Sequence, residues 1–271
     1  MSDSQSARAL PGPPPEAGAD VLAAGESSRR KKAPGVAASP ASPHRTERAH
    51  GSGQTDVAGS GGESRIFLIR HGRTGLNAAS RLRGRLDVPL DEVGRRQARA
   101  LAQLFQDMPL RAVVSSPLLR ARQTALRLVR SRALPLQVCP ALIDRDYGSW
   151  SGHPRSEAES RYGSLEAAPG VEPWARFRVR VCEAFLAIAE TVGDRPLAIV
   201  AHDAVNRAVI STLVPGAAGE PDAIPQCTGC WNLLVHRSGA WDLPVLNAVP
   251  GDGRMPPPAA ELPTQPAEPF P

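Results

Sequence analysis

The ten residues Arg65-Ile66-Phe67-Leu68-Ile69-Arg70-His71-Gly72-Arg73-Thr74 constrain this chain more than any others. Four consecutive apolar residues ending at a polar turn read as a buried β-strand. A guanidinium and an imidazole follow at once, and Gly72 closes the turn. A strand that delivers reactive side chains at its carboxyl end is how an open α/β sheet presents a binding site. Arg70 can clamp an anion while His71 attacks it. Any strand that ends at a polar turn could show the tripeptide Arg70-His71-Gly72, so the rest of the chain has to decide.

The periodicity that follows alternates between the two regular structures. Apolar residues at Ala98, Leu101, Ala102, Phe105 and Met108 step along one helical face, predicting a helix over 91–108. Ala112-Val113-Val114-Ser115 reads as a short buried strand, with Pro117 suited to the first turn of a helix carrying Leu118 to Val129. Leu136-Gln137-Val138 is a weaker strand. Phe177, Val181, Ala184, Ile188 and Val192 mark a long helix from Trp174 that stops near Gly193, and Leu197 to Ala201 is again a buried strand. Such alternation predicts an α/β fold, a three-layer α/β/α sandwich around a mainly parallel sheet. His71 and His202 each directly follow a strand, so both meet at the carboxyl edge of that sheet. Arg120 falls in the first turn of the helix after Ser115-Ser116-Pro117, an end that favours anions.

Separated blocks along the chain carry a resemblance to a known family. Beyond Arg70-His71-Gly72 with Asn77 come Arg81-Leu82-Arg83-Gly84-Arg85-Leu86-Asp87-Val88-Pro89-Leu90 and Glu92-Val93-Gly94-Arg95-Arg96-Gln97-Ala98. Then come Ser115-Ser116-Pro117-Leu118-Leu119-Arg120-Ala121-Arg122-Gln123-Thr124-Ala125, Asp144-Arg145-Asp146-Tyr147-Gly148-Ser149-Trp150-Ser151-Gly152, and Val200-Ala201-His202. In this order they resemble the histidine phosphatase, or phosphoglycerate mutase-like, superfamily over residues 64 to about 248. The resemblance implies a phosphoglycerate mutase-like fold and a phosphohistidine formed on His71, with Arg70, Arg120, Asn77 and His202 holding the phosphoryl group. It implies neither metal nor cofactor.

Chemistry agrees with that assignment of parts. Phosphoryl transfer asks a protein mainly for positioned positive donors around three oxygens, and a neutral imidazole nucleophile is available near pH 7. The leaving alkoxide needs a proton, which the family usually takes from a Glu. Asp144 stands at that position, with a side chain shorter by about 1.5 Å. Asp146, two residues on, shares its side if the segment is extended, so Asp144 is the first candidate for the acid and Asp146 the second. Asp203 occupies a place where the family commonly has Gly, and Arg73, Arg83 and Arg207 are candidate partners for its carboxylate. Mutases of the family usually carry a long insertion after the Gly-x-Trp segment. Here about 20 residues separate Trp150 from Glu172, which favours hydrolysis of a small phosphorylated metabolite over mutase-type transfer. A phosphate-binding module without catalysis is a third reading.

Composition bounds the rest. Residues 1–63 are rich in Pro, Gly, Ala and Ser without an apolar period, and 251–271 are rich in Pro; both are expected to be disordered tails around a 64–250 domain. Arg29-Arg30-Lys31-Lys32 reads as part of a solvated linker, not as a nucleic-acid or membrane patch. Residues 64–250 hold 24 Arg, no Lys and 17 acids. Lys31 and Lys32 are the only lysines in the chain, so the Arg excess is read as coding bias in preference to a sign of an anionic partner. No apolar run reaches the roughly 18 residues of a membrane span, and the N-terminus lacks a secretory apolar stretch. The expected location is therefore cytoplasmic. Cys139, Cys182, Cys227 and Cys230 fit structural thiols better than disulfides or a metal site, despite the Cys227-Thr228-Gly229-Cys230 spacing. No stripe on the sequence speaks to oligomeric state.

Overall fold

The computed structural model describes residues 63–257 except 131 and 217–220. Of the expected tails 1–63 and 251–271, residues 1–62 and 258–271, with the Arg29–Lys32 cluster, lie outside the described residues.

Strands β1 (Ser64–Arg70), β2 (Ala112–Ser115), β3 (Leu136–Val138), β4 (Leu197–Ala201), β5 (Trp231–Arg237) and β6 (Ala240–Ala248) form one sheet in the order β3-β2-β4-β1-β5-β6. The pairs β3/β2, β2/β4 and β4/β1 are parallel, and β1/β5 and β5/β6 are antiparallel. The expected mainly parallel sheet is present, with an antiparallel hairpin added at one edge. Ser238 and Gly239 form its two-residue turn, both at positive φ, 48° and 82°. That geometry matches the right-handed twist of the flanking strands.

The helices are α1 (Gly75–Ala78), α2 (Glu92–Leu104), α3 (Leu119–Val129), α4 (Arg155–Tyr162), α5 (Trp174–Ala189) and α6 (Asp203–Leu213). Asp91 starts α2 by accepting from Gly94 N at 2.8 Å, so the predicted helix begins one residue later. Pro117 stands outside α3, because Leu118 is extended and is the N-cap. Neither α4 nor α6 was marked by the sequence pattern.

Strand alternation divides the core in two. Ile66 and Leu68 of β1 face Phe177, Val181 and Phe185 of α5 and Val205 and Val209 of α6. Phe67 and Ile69 face Leu101 of α2, Phe105, and Ala121, Ala125 and Leu128 of α3. Each fully buried Ile, Leu or Phe contributes roughly 1.5–3 kcal/mol of transfer free energy, so β1 is anchored from both sides. A third cluster of Leu82, Tyr147, Trp150, Ala158, Leu165, Ala168 and Val171 holds the segment after the acid loop. No helix among the described residues is long and apolar enough to cross a membrane.

Candidate active site

The parallel strands β2, β4 and β1 are neighbours, and their carboxyl ends align: Arg70 is in register with Ala201, and Ser115 with Val200. Arg70 and His71, Ser116, and His202 therefore leave the sheet side by side. The turn after His71 is tight. A Cβ on Gly72 would stand 2.5 Å from the Gly94 carbonyl oxygen, and one on Gly94 would stand 2.0 Å from that of Arg73. Glycine at both positions lets the loop close on α2.

His71 is completely buried. Its Nδ1 lies 2.7 Å from the Gly72 carbonyl oxygen, which can only accept, so Nδ1 carries the proton and Nε2 presents a lone pair. Arg120 Nε donates to that Nε2 at 3.2 Å. Burial, with the Arg120 and Arg70 guanidinium groups beside it, holds the imidazole well below its usual pKa. It is thus a neutral ring with its basic nitrogen aimed at a cation.

Arg120 has no exposed surface. The carbonyls of Leu86 and Gly84 each accept from it at 2.8 Å, and Asp144 Oδ2 accepts at 2.9 Å. Asp144 is also buried, and its Oδ2 lies 3.7 Å from Nδ1 of His202. Burial raises its carboxyl pKa against the opposing pull of Arg120. Asp146 lies apart from this group. It accepts from Gly148 N at 2.8 Å and pairs with Arg85 at 3.2 Å. Glu172 fixes the acid loop, accepting from Asp146 N at 3.1 Å and pairing with Arg180 at 3.0 Å.

The rings of His71 and His202 approach edge to face, with centroids 5.2 Å apart. His202 Nε2 meets the Ser116 hydroxyl at 2.7 Å, while its buried Nδ1 has no hydrogen-bond partner. Burial, reinforced by Arg120, lowers its pKa well below the usual value. Arg70 donates from Nη1 to the Gln226 carbonyl, and its Nη2 lies 3.3 Å from Asp203 Oδ2. Its buried Nε is unpartnered. Asn77 lines the mouth of the site, but its side-chain oxygen already accepts from Thr74 N at 3.1 Å and from the Thr74 hydroxyl at 2.8 Å.

Of the three partners expected for Asp203, the structure selects Arg83, at 2.9 and 2.8 Å to the two carboxylate oxygens. Arg73 pairs instead with Asp91, and Arg207 with Asp222 and the Ile224 carbonyl. Outside this pair opens a cavity of about 460 Å³ whose walls include Arg81, Arg145, Tyr147, Arg155 and Trp174.

Sequence reasoning missed two supporting groups. Ser116 was read only as a strand end, although its hydroxyl orients His202. A polar relay behind Arg70 also went unseen. Gln226 receives Asn206 Nδ2 at 2.8 Å and donates to Asn232 Oδ1 at 2.9 Å, and Asn232 Nδ2 reaches the Leu68 carbonyl at 2.8 Å. Buried amides that follow no period gave the only signal. Cys227, exposed, and Cys230, buried, flank the turn just before β5, and all four cysteines are free thiols. Burial pushes the Cys230 thiol up to about 12.

Comparison with known proteins agrees with this geometry. The profile of the histidine phosphatase superfamily (branch 1) matches residues 66–249. Glucosyl-3-phosphoglycerate phosphatase of Mycobacterium tuberculosis (strain ATCC 25618 / H37Rv) is 33% identical over 210 residues, covering 68% of this chain and 94% of that protein. Adenosylcobalamin/alpha-ribazole phosphatase of Salmonella typhimurium is 32% identical over 196 residues, covering 68% of this chain and 96% of its own length. The solved native structure of mycobacterial glucosyl-3-phosphoglycerate phosphatase superposes with a TM-score of 0.61 at 29% identity, covering 69% of this chain and 99% of that one. The sheet edge that gathers two histidines and two arginines, the ordered motifs and the sequence matches lead to one assignment: this chain belongs to the histidine phosphatase superfamily.

Proposed function

We propose that this protein hydrolyses a small phosphorylated metabolite through a phosphohistidine on Nε2 of His71. The observation that carries the reading is the Gly72 carbonyl on Nδ1 of His71, which leaves Nε2 unprotonated in a buried, cationic setting. In the first step Nε2 attacks phosphorus and the ester P–O bond breaks. Asp144, whose carboxyl pKa burial raises, gives its proton to the leaving oxygen. In the second step Asp144 takes a proton from water as its oxygen attacks phosphorus. The P–N bond breaks, His71 returns neutral and orthophosphate leaves. Charge on the transferring group is met by Arg70, Arg120 and His202, with Asn77 at the mouth. The unpartnered Nδ1 of His202 and Nε of Arg70 are buried polar atoms that a phosphoryl oxygen would satisfy.

Several points support hydrolysis over mutase-type transfer. The relatives described above are named phosphatases, and the segment between Trp150 and Glu172 adds only α4 and its small apolar cluster. Their names also support a phosphorylated small metabolite as the substrate class. We further read residues 64–250 as the catalytic domain, in line with the family match over 66–249. The four free thiols support a reducing, cytoplasmic compartment. Release of orthophosphate from p-nitrophenyl phosphate and from a panel of phosphorylated metabolites tests the activity. Conversion of 3-phosphoglycerate to its isomer without phosphate release would favour the mutase instead.

A further inference from the structure

Asp203 sits in the first turn of α6, directly after His202, and its carboxylate spans two guanidinium groups of unequal hold. Arg83 Nη2 meets both of its oxygens at 2.8–2.9 Å, and the Ala204 N–H donates to Oδ1 at 3.0 Å. Arg70 touches only Oδ2, at 3.3 Å. The helix N-terminus adds a further favourable field for the carboxylate. Arg70 has a separate anchor in the Gln226 carbonyl, backed by Asn206 and Asn232. Its position therefore does not depend on Asp203. Behind this pair, His71, His202 and Arg120 have no exposed surface.

We propose that Asp203 is an internal counter-anion for Arg70: the phosphoryl group displaces its carboxylate from Arg70 while Arg83 retains it, so that Asp203 sets how tightly the site holds phosphate. The inference rests on the reading of this pocket as the phosphoryl site. An isolated Arg70, facing a dianion with no competitor, would bind substrate and product alike more tightly and release product slowly. With Asp203 in place, each arriving phosphoryl group trades one anionic partner of Arg70 for another. When orthophosphate leaves, the carboxylate returns and the guanidinium stays paired. Burial pushes the Asp203 carboxyl up, but Arg70, Arg83 and Arg207 overcome this and hold it well below the ordinary range. It is consequently charged throughout the neutral range. Asp203 also differs in kind from the acid candidate Asp144, whose carboxyl is shifted the other way. The two carboxyls near the pocket are thus pushed in opposite directions, as a fixed counter-charge and a proton donor would require.

A structural strut and a competing anion predict opposite signs. In the full-length chain, Asp203→Asn and Asp203→Gly should each bind orthophosphate at least about tenfold more tightly than wild type, the scale expected when one like charge is removed beside a bound anion. Calorimetric titration and product inhibition of p-nitrophenyl phosphate hydrolysis read this directly. KM should fall with them, and kcat should fall where phosphate release limits turnover. The melting temperature should rise more steeply with added orthophosphate than in wild type. Unchanged or weaker orthophosphate binding in both variants would overturn the proposal, because a strut that positions Arg70 loses affinity when removed. Tighter binding in a protein that hydrolyses no phosphomonoester would uphold the counter-anion and overturn the hydrolase reading instead.

Discussion

Arg120 Nε donates to Nε2 of His71 across 3.2 Å, while the same guanidinium reaches Asp144 at 2.9 Å. One cation thus ties the proposed nucleophile to the proposed acid before any substrate arrives. A phosphoryl group entering between them would take over these donors, since charge-assisted bonds to a dianion are stronger than a bond to a neutral ring.

His71→Ala is expected to abolish phosphomonoester hydrolysis while the domain stays folded. The apolar residues of β1 supply the packing on both faces of the sheet, and the imidazole adds its polar contacts and one edge-to-face contact with His202. Acid-labile phosphate should be trapped on His71 in the wild type by rapid quenching. Retention of more than a few per cent of activity by the variant would refute the assignment.

Ser116→Ala removes the one hydrogen-bond partner that the His202 ring has among the described residues. The ring then loses its fixed orientation, and kcat should drop by roughly tenfold or more, as for a lost positioning group, with KM changing less. Ser116→Thr, which keeps the hydroxyl, should recover part of the rate. A change confined to KM would show that the hydroxyl serves binding and not orientation.

The fold was legible where periodicity was strong, and the site where residues follow strands directly. Ile66–Ile69 and Leu197–Ala201 are short apolar runs that could only be buried, so β1 and β4 and the histidines after them followed. The β5–β6 hairpin was missed although Ser238-Gly239 is a turn dipeptide, because Pro244 and register shifts within the pair disrupt alternation. Helix α4 buries only Ala158 and shows almost no apolar face to read. Which of Asp144 and Asp146 joins the cluster depends on the path of an irregular loop held by Glu172 and Arg180. No spacing rule encodes that path.

Both site histidines are buried and neutral, with folded pKa values below the unfolded value of about 6.5. Such groups contribute stability above pH 6.5 that is lost as pH falls toward their folded pKa values, because the unfolded chain binds the protons first. Unfolding free energy should decline below about pH 6.5 with a slope approaching roughly 1.4 kcal/mol per pH unit for each histidine. Denaturant titrations from pH 7.5 to 5 measure it. His202→Gln should reduce the slope toward half; an unaltered slope would mean that other groups govern acid sensitivity.

Deleting residues 1–62 should leave turnover unchanged and move the melting temperature by no more than a few degrees. The family match begins at residue 66, and the composition of the removed segment provides little apolar surface to bury. A larger shift would show that the segment stabilises the domain.

The acid assignment is tested by leaving groups. A proton donor matters in proportion to how poorly the leaving group departs alone. Asp144 is buried against Arg120 with its pKa raised, whereas Asp146 lies near the surface, paired with Arg85. Asp144→Asn should therefore slow hydrolysis of an alkyl phosphate by about 100-fold or more, as expected for a lost general acid. It should largely spare p-nitrophenyl phosphate, whose phenolate leaves unaided. Asp146→Asn should affect both substrates little and equally. If Asp146→Asn instead shows the leaving-group-dependent loss, the acid lies two residues later. Equal losses on both substrates in the Asp144 variant would mean that this carboxyl orients Arg120 and donates no proton.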